Sequence, residues 1–290
     1  MDLATFLGEA RNGEAAAAVS LTDFLRHLSQ SSIGMLMRCP RQFQHRYLRG
    51  EKEKPGESIV IGSMFHETIE WKYRSKIDSH VDAPLSDAVQ YLQDVAVPTV
   101  LESEGGADNI AWDSDLDAAR SDAERITSAY YQTVVPRIQP VSVEQEFRIE
   151  IPGVEVPVIG YLDVQDADRV LDTKTGKQAS RKVKPSWHLQ GRLYSFAAQK
   201  PTEFHSISRA KTPTIVTGLE SEAMIVPVPT EGQMQNVIHT VQTAANLIRY
   251  FMLTFGPDEE WPTWGAIPDW SRNVLPCDMC GWRPGCPAWA

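Results

Sequence analysis

Hydrophobic and polar positions divide the chain into helical segments on either side of an alternating stretch. From residue 141 onward apolar and polar residues alternate, which is typical of half-buried strands. The predicted strands are 141–151, 154–164 and 170–173, joined by turns at 152–153 and 166–169. The predicted helices are 62–76, most of 84–136, 185–199 and 230–255, with a further helix opened by a capping box at Ser20 and Asp23. This order predicts an α/β or α+β core with a helical insertion.

Composition supports a soluble globular protein of ordinary size. The chain has 290 residues, of which 42% are hydrophobic and 23% charged. We expect a single domain over 20–290, with a flexible leader at 1–19, a helical insertion at 76–136 and a cysteine-bearing region at 257–290. No run of 18 apolar residues occurs, which argues against a membrane span. A cytoplasmic location is therefore expected, and the sequence does not distinguish a cellular from a viral source.

Charge is distributed unevenly along the chain. The formal net charge is −10, and the segment 76–125 carries 12 acidic residues against three basic ones, so it accounts for −9. The strongest basic run lies elsewhere and consists of Lys174, Lys177, Arg181, Lys182 and Lys184. Such a run either contacts phosphates or forms a solvated loop. The acidic segment is expected to lie away from any nucleic acid or to contact a partner protein.

Acidic residues and a lysine are predicted to meet at the second β-turn. Asp172 and Lys174 are two residues apart on a strand and therefore share a face. If 167–168 form a two-residue loop, Asp163 lies opposite Asp172, where two carboxylates repel unless a cation lies between them. Oxygen ligands suit Mg²⁺ or Mn²⁺, and Lys174 could orient a water molecule. An ordinary ion-pair cluster on a solvated strand is the alternative.

Two further pairs of residues complete a recognisable set. Gly62 precedes His66 by four positions on a predicted helix, and Gln190 precedes Tyr194 by four on another. In chain order, the motifs Gly62-x-x-x-His66, Gly160-x-x-Asp163, Asp172-Thr173-Lys174 and Gln190-x-x-x-Tyr194 resemble those of the RecB-type branch of the PD-(D/E)XK nuclease superfamily. Asp172 stands where many members have Glu.

The resemblance implies a restriction-endonuclease-like core with a mixed central sheet flanked by helices. It also implies that the catalytic cation is held by His66, Asp163, Asp172 and the carbonyl group of Thr173. Lys174 would position the attacking water, and Gln190 and Tyr194 would organise Lys174 and the DNA.

The four cysteines form a second pattern. Cys277, Cys280 and Cys286 are clustered near the C-terminal end, whereas Cys39 lies far upstream. By chemistry alone an iron-sulfur cluster, a structural zinc and free buried thiols all remain open. The spacing resembles that of the iron-sulfur subset of RecB-type nucleases, and the resemblance implies a 4Fe-4S cluster held by all four.

These observations predict a metal-dependent DNA exonuclease similar to the CRISPR-associated adaptation exonucleases and the AddB nuclease domain. We expect it to act on DNA ends, with single-stranded DNA as the favoured substrate, in repair, recombination or adaptation. Endonuclease cleavage is left open as a side activity. The predicted DNA-binding residues are Lys177, Arg181, Lys182, Lys184 and Trp187. The alternatives are a non-catalytic iron-sulfur DNA-binding module and a zinc-stabilised scaffold without a nucleic-acid role.

Overall fold

A computed structural model describes residues 19–263, 277, 280–282 and 286. Contacts divide the chain into two compact units. Unit 1 comprises Met1–Glu53, Phe147–Gly160 and Thr230–Ala290, and unit 2 comprises Lys54–Glu146 and Tyr161–Pro229. The predicted leader at 1–19 lies almost entirely outside the described residues. No helix in the described part of the chain is both long and apolar enough to cross a membrane.

Unit 1 is built around helices from both ends of the chain. Its helices are α1 (Gln30–Arg38), α2 (Pro40–Phe43), a π-helical turn (Gln44–Leu48) and α8 (Glu231–Phe255). Helix α1 begins with a capping box in which Ser29 and Ser32 exchange side-chain to backbone hydrogen bonds. Helix α8 begins with a second capping box at Thr230. The two helices pack against each other.

A buried glutamine joins distant segments of unit 1. The Gln44 amide donates to the carbonyl oxygens of Pro257 at 2.9 Å and Glu259 at 2.6 Å, and it accepts the Trp261 N–H at 2.8 Å. Arg41 adds a hydrogen bond from Nε to the Trp261 carbonyl oxygen at 3.0 Å. Buried polar side chains of this kind are retained only where partners satisfy them, and these two have such partners.

Unit 2 consists of a mixed sheet with helices on its faces. The helices are α3 (Glu57–Ser79), α4 (Leu85–Tyr91), α5 (Val97–Ser103), α6 (Leu116–Thr133) and α7 (His188–Ala198), with a π-helical turn (Leu92–Ala96) between α4 and α5. The strands, the first two of which begin or end in unit 1, are β1 (Pro140–Ile149), β2 (Val158–Asp166), β3 (Val170–Gly176), β4 (Thr202–Ser208), β5 (Ile215–Val216) and β6 (Ile225–Val226).

The sheet order is β1-β2-β3-β4-β5, and β6 also pairs with β4. Strands β2 and β3 are antiparallel, whereas β3 and β4 are parallel, from Val170 opposite Thr202 to Gly176 opposite Ser208. A large apolar core joins α3, α4 and α6 to the sheet, and a smaller one lies around Trp187 and Phe204. The helical interpretation of 84–136 and the α/β fold class with a mixed sheet are confirmed.

Two helix starts were predicted wrongly. The capping pattern at Ser20 forms only a single 3₁₀ turn, Leu21–Asp23, because Leu28 then pairs in extended conformation with Pro157 and Ile159. The helix predicted from residue 62 begins at Glu57, and Gly62 lies inside it. Glu57 is held at this start because its carboxylate accepts hydrogen bonds from residues 113 and 114.

The strand predictions also need correction. Strand β2 begins at Val158 rather than at 154, and β3 continues to Gly176 instead of ending at 173. Strand β4 was not predicted, because several of its buried residues are polar and its sequence therefore lacks the hydrophobic pattern of a buried strand. Glu203, for example, is 2% exposed, and its carboxylate accepts from Arg169 Nη1 at 2.6 Å and from the Gly218 N–H at 2.7 Å. Burial would raise its pKa, but these partners and His205 outweigh burial and lower the pKa to about 2.

Helix α3 carries a buried cluster of two lysines in its second half. Lys72 is 0% exposed and Lys76 is 3% exposed. Both ammonium groups pair with the carboxylate of Asp82, at 2.9 and 3.1 Å. In the described part of the chain no other carboxylate makes an ion pair with either lysine, so the cluster carries an excess positive charge.

Candidate active site

The β2–β3 hairpin places two aspartates side by side. Val164 pairs with Leu171 and Gln165 with Val170, and the next pair in this register is Asp163 with Asp172. The predicted register is therefore confirmed. Asp172 is 0% exposed and the side chain of Asp163 is 20% exposed. Two carboxylates are thus held together largely out of water.

Lys174 is the cation that lies closest to this pair. Its Nζ atom lies 2.7 Å from Asp172 Oδ1 and 3.1 Å from Oδ2. The same ammonium lies 5.9 Å from the centre of the Phe204 ring on the neighbouring strand. Its side chain is 27% exposed, so Lys174 remains accessible from solvent while one end of it neutralises Asp172.

Helix α3 brings His66 to the same strands. Thr173 Oγ1 lies 3.2 Å from His66 Nδ1, and Asp163 Oδ2 lies 3.7 Å from the same nitrogen. The glycine of this motif permits the close approach, because a Cβ atom at Gly62 would lie 3.0 Å from Thr175 Oγ1. The four-residue spacing from Gly62 then places His66 about one turn further along the helix, beside Thr173.

Helix α7 supplies the last two predicted residues. Gln190 Nε2 donates to Asp172 Oδ2 at 2.8 Å and to Tyr194 Oη at 2.9 Å. The intervening Gly191 lets the helix lie close to the sheet, since a Cβ atom there would lie 2.9 Å from Val226 and 3.0 Å from Phe204. The structure therefore brings together the seven predicted residues of the catalytic set: His66, Asp163, Asp172, Thr173, Lys174, Gln190 and Tyr194.

The electrostatics of this group show a shortage of positive charge. Burial raises the pKa of Asp172 to about 6, although Lys174 opposes the shift, and burial also raises the pKa of Asp163. Burial would lower the pKa of Lys174, but attraction to Asp172 and Asp163 outweighs it, so this pKa is raised. The pKa of His66 is lowered by burial and by the charge of Lys174. Among the described residues, Lys174 is thus the only lysine or arginine that makes an ion pair with either carboxylate.

The donor set fits a hard divalent cation. Carboxylate and carbonyl oxygens with one imidazole are ligands that suit Mg²⁺ and Mn²⁺. Oδ1 of Asp172 is buried and makes no hydrogen bond, although it pairs with Lys174. Among the described residues, however, no three His, Cys, Asp or Glu side chains converge on a point that could hold a metal. In this conformation the Asp172 carboxylate is engaged by Lys174 and Gln190.

A model of the PD-(D/E)XK nuclease superfamily matches residues 27–287, which is most of the chain. The chain belongs to the PD-(D/E)XK nuclease superfamily. Its fold is also similar to that of a proposed exonuclease from Eubacterium rectale, with a TM-score of 0.52 at 13% identity, over 90% of this chain and 88% of the other. A second structure, of SSO0001, has a TM-score of 0.36 at 14% identity and covers 77% of this chain and 97% of the other, which is too low a score to support an argument. No curated protein matches the chain.

One acidic residue that sequence reasoning did not single out is influenced by the charges of the candidate site. Glu144 lies in β1 with a left-handed backbone, φ 50°, which is rare for a non-glycine residue inside a strand. Burial raises its pKa to about 7, and the negative charges of Asp163 and Glu70 add to the shift. Its carboxyl group therefore senses the same field as the aspartates. Its unusual structural feature is the positive φ, and no local sequence motif predicts it.

The basic loop of the nuclease follows β3. Lys177, Arg181 and Lys182 are exposed, and none makes an ion pair within the described residues. Lys184 lies 4.9 Å from the centre of the Trp187 ring. Trp187, which was predicted to bind DNA, is 9% exposed and its ring stacks on Phe204 at 5.3 Å, so little of the ring is available to a DNA base. Trp187 instead belongs to the smaller apolar core.

The four cysteines lie in unit 1, and none forms a disulfide. Burial raises the pKa of the Cys280 thiol; a hydrogen bond from Gln42 opposes this, while the charges of Glu53 and Cys39 add to it. Cys39 therefore lies near enough to influence Cys280 despite their separation in sequence. Thiol donors fit an iron-sulfur cluster chemically. As at the aspartates, no metal-holding group is formed by the cysteines in the described residues.

Proposed function

We propose that this chain is a divalent-metal-dependent exonuclease that hydrolyses phosphodiester bonds at DNA ends, with single-stranded DNA as its favoured substrate. The observation that carries the proposal is the buried Asp163 and Asp172 pair, which shares a single lysine within a nuclease superfamily fold. A buried pair of carboxylates with too little positive charge is costly unless a cation binds there.

Each residue has a proposed role. Asp163, Asp172, His66 and the Thr173 carbonyl group hold Mg²⁺ or Mn²⁺, which when bound would polarise the phosphate and acidify a water molecule. Lys174 turns from Asp172 toward the attacking water or the phosphate. The Gln190 amide, already bonded to Asp172 and Tyr194, keeps the carboxylate oriented during that change.

The exposed cations after β3 supply the proposed path for the DNA strand. Lys177, Arg181 and Lys182 would contact phosphates, with Lys184 at the end of the loop. The acidic segment 76–125 repels a polyanion, so we place the strand away from it and propose this segment as a contact for a partner protein. Pathway membership in repair or CRISPR-type adaptation is consistent with such an end-processing activity.

We further propose a 4Fe-4S cluster held by Cys39, Cys277, Cys280 and Cys286, within a single nuclease domain over 20–290. Support comes from the four cysteines, none of which forms a disulfide, and from the influence of Cys39 on Cys280. The cluster would have a structural role. Anaerobically purified protein should be brown, and Cys39→Ala should be colourless with a lower melting temperature; colourless wild-type protein that contains zinc would contradict the cluster without affecting the nuclease assignment.

Cleavage of end-labelled DNA tests the nuclease proposal. Wild-type protein and Lys174→Ala are incubated with single-stranded and blunt duplex DNA, with Mg²⁺, with Mn²⁺ or with chelator. We expect metal-dependent release of nucleotides from labelled ends and loss of cleavage by about 10³-fold in Lys174→Ala, with DNA binding retained. Lys54→Ala, which removes an exposed lysine that bonds a backbone carbonyl, is the control. Wild-type cleavage rates in Lys174→Ala would refute the assignment, and binding without any cleavage would favour a non-catalytic DNA-binding module.

A further inference from the structure

An arginine outside the predicted set is fixed at the end of the catalytic strands. Arg209 follows β4, and its N–H donates to the Gly176 carbonyl oxygen at 2.8 Å, two residues beyond Lys174. Its Nη2 atom donates to Ser58 Oγ at 2.6 Å, at the start of α3. Arg125 holds the Arg209 carbonyl oxygen at 3.1 Å. The backbone and guanidinium are thus both positioned.

This guanidinium has no carboxylate partner among the described residues. Arg169 in the same sheet pairs with Glu203 at 2.6 Å, and Arg125 pairs with Asp122. Arg209 is half-buried and its Nε atom is buried without a hydrogen-bond partner. Among the described residues, its guanidinium donates only to the Ser58 hydroxyl group. A fixed, uncompensated guanidinium in a chain of net charge −10 fits a phosphate, which it can bind through two parallel hydrogen bonds.

A large apolar side chain lies next to the same contact. Ile59 follows Ser58 and is 61% exposed. It precedes His66 by seven residues, or about two turns, so the two side chains share one face of α3. Single exposed hydrophobic residues are common, but this one directly follows the serine that Arg209 contacts and lies on the helix face that bears His66. Unpaired bases present apolar faces that such a side chain can cover.

We propose that Arg209 and Ile59 form a subsite for an unpaired nucleotide of the DNA strand, with Arg209 on a phosphate and Ile59 against the base. This subsite rests on the proposed nuclease function and deepens it, because it would select a single-stranded or frayed end over a paired one. Lys211, exposed in the same loop and without an ion pair among the described residues, extends the phosphate contact. A paired base is already stacked on its neighbours and would not be available to Ile59.

Binding to short end-labelled DNA in chelator, over a series of salt concentrations, tests the subsite. Arg209→Gln should weaken single-strand binding roughly tenfold and reduce the slope of log affinity against log salt by about 0.7, the value for one phosphate contact on a single strand. Ile59→Gln should weaken single-strand binding about threefold and leave binding to a blunt duplex unchanged. Arg137→Gln and Leu219→Gln are matched controls, since they remove an exposed arginine and an exposed leucine of unit 2.

The outcomes separate the subsite from the nuclease proposal. Wild-type binding and cleavage, with unchanged affinity and salt slope in both Arg209→Gln and Ile59→Gln, would overturn the subsite alone. A wild-type protein that neither binds nor cuts DNA would overturn both proposals. If Arg209→Gln does not fold, Arg209→Lys replaces it, because lysine keeps the charge but cannot form the two parallel hydrogen bonds. Weaker single-strand binding by Arg209→Lys than by the wild type supports the subsite, and equal binding overturns it.

Discussion

Unit 2 contains two buried charge clusters of opposite imbalance. Asp163 and Asp172 share Lys174, whereas Lys72 and Lys76 share Asp82. The pKa of Asp172 is raised to about 6 by burial, but the pKa of Asp82 is lowered, because its two lysine partners outweigh the cost of burial. The first cluster is short of positive charge and can accept a cation, and the second is already saturated with cations. We infer that the first serves chemistry and the second stabilises helix α3.

The largest expected effect is on cleavage by Asp172→Asn. Loss of the buried carboxylate should reduce cleavage by about 10³-fold or more, because the proposed metal site loses a ligand and Lys174 loses its partner. The same change should leave the melting temperature at pH 7 unchanged or higher, because a strained buried charge is removed. Nuclease assays and thermal melting of the two proteins measure both effects.

The difference in stability between Asp172→Asn and the wild type should depend on pH in a definite direction. The folded pKa of Asp172 is about 6 and lies above its unfolded value of roughly 3.9, so its stabilising contribution is present below the unfolded pKa and is lost as pH rises through about 6. Any stability advantage of Asp172→Asn at pH 7 should therefore shrink by pH 5. An Asp172→Asn protein that melts well below the wild type at pH 7 would contradict the charge imbalance.

The matching substitution in the lysine cluster should have the opposite effect on stability. Asp82→Asn leaves two buried ammonium groups without their carboxylate, and breaking a buried ion pair costs about 3–5 kcal/mol. Because the Asp82 side chain is 37% exposed, we expect a smaller loss of roughly 2–3 kcal/mol in the free energy of unfolding. Denaturant titration measures it, with Asp87→Asn as the control. Stability equal to that of the control would show that Asp82 does not hold the two lysines.

Added divalent metal should distinguish the two clusters, because it should stabilise only those proteins in which the aspartate pair is intact. A cation that binds only the folded protein adds about 1.4 kcal/mol when its free concentration is ten times the Kd. We expect Mn²⁺ to raise the melting temperature of wild-type protein and of Asp82→Asn, but not of Asp172→Asn. Equal shifts in all three proteins would place the metal elsewhere.

Gly62→Ala should have only a small effect on stability. Alanine gains up to about 1 kcal/mol in helix propensity over glycine, which is offset by a Cβ atom placed 3.0 Å from Thr175 Oγ1. The net change in unfolding free energy should remain below about 1 kcal/mol. Cleavage should fall further than stability, because any shift of α3 moves His66. Gly232→Ala, where nothing lies within 4 Å of the added Cβ atom, is the control, and equal activity of the two variants would exclude this positioning role.

The amino-acid pattern predicts which candidate side chains lie together better than it predicts the helices and strands that hold them. A two-residue turn sets strand register arithmetically, so the pairing of Asp163 with Asp172 follows from the spacing of residues along the chain. Strand β4 escaped prediction because Glu203 and His205 are buried through partners from distant parts of the chain. Arg209 escaped for the same reason, since only tertiary contacts show that it lacks a carboxylate. The burial of Trp187 also escaped prediction, because sequence gives no measure of exposure.

The contacts of Gln44 have a consequence for the order of folding. Its partners Pro257, Glu259 and Trp261 are more than 200 residues away along the chain, so these hydrogen bonds close a very long loop. During synthesis the amide of Gln44 has no such partners until residues 257–261 have been made. Unit 1 can therefore fold fully only late, whereas all of unit 2 is available to fold once residue 229 has emerged. A chain that ended before residue 257 would contain the aspartate pair but would lack the residues that Gln44 binds.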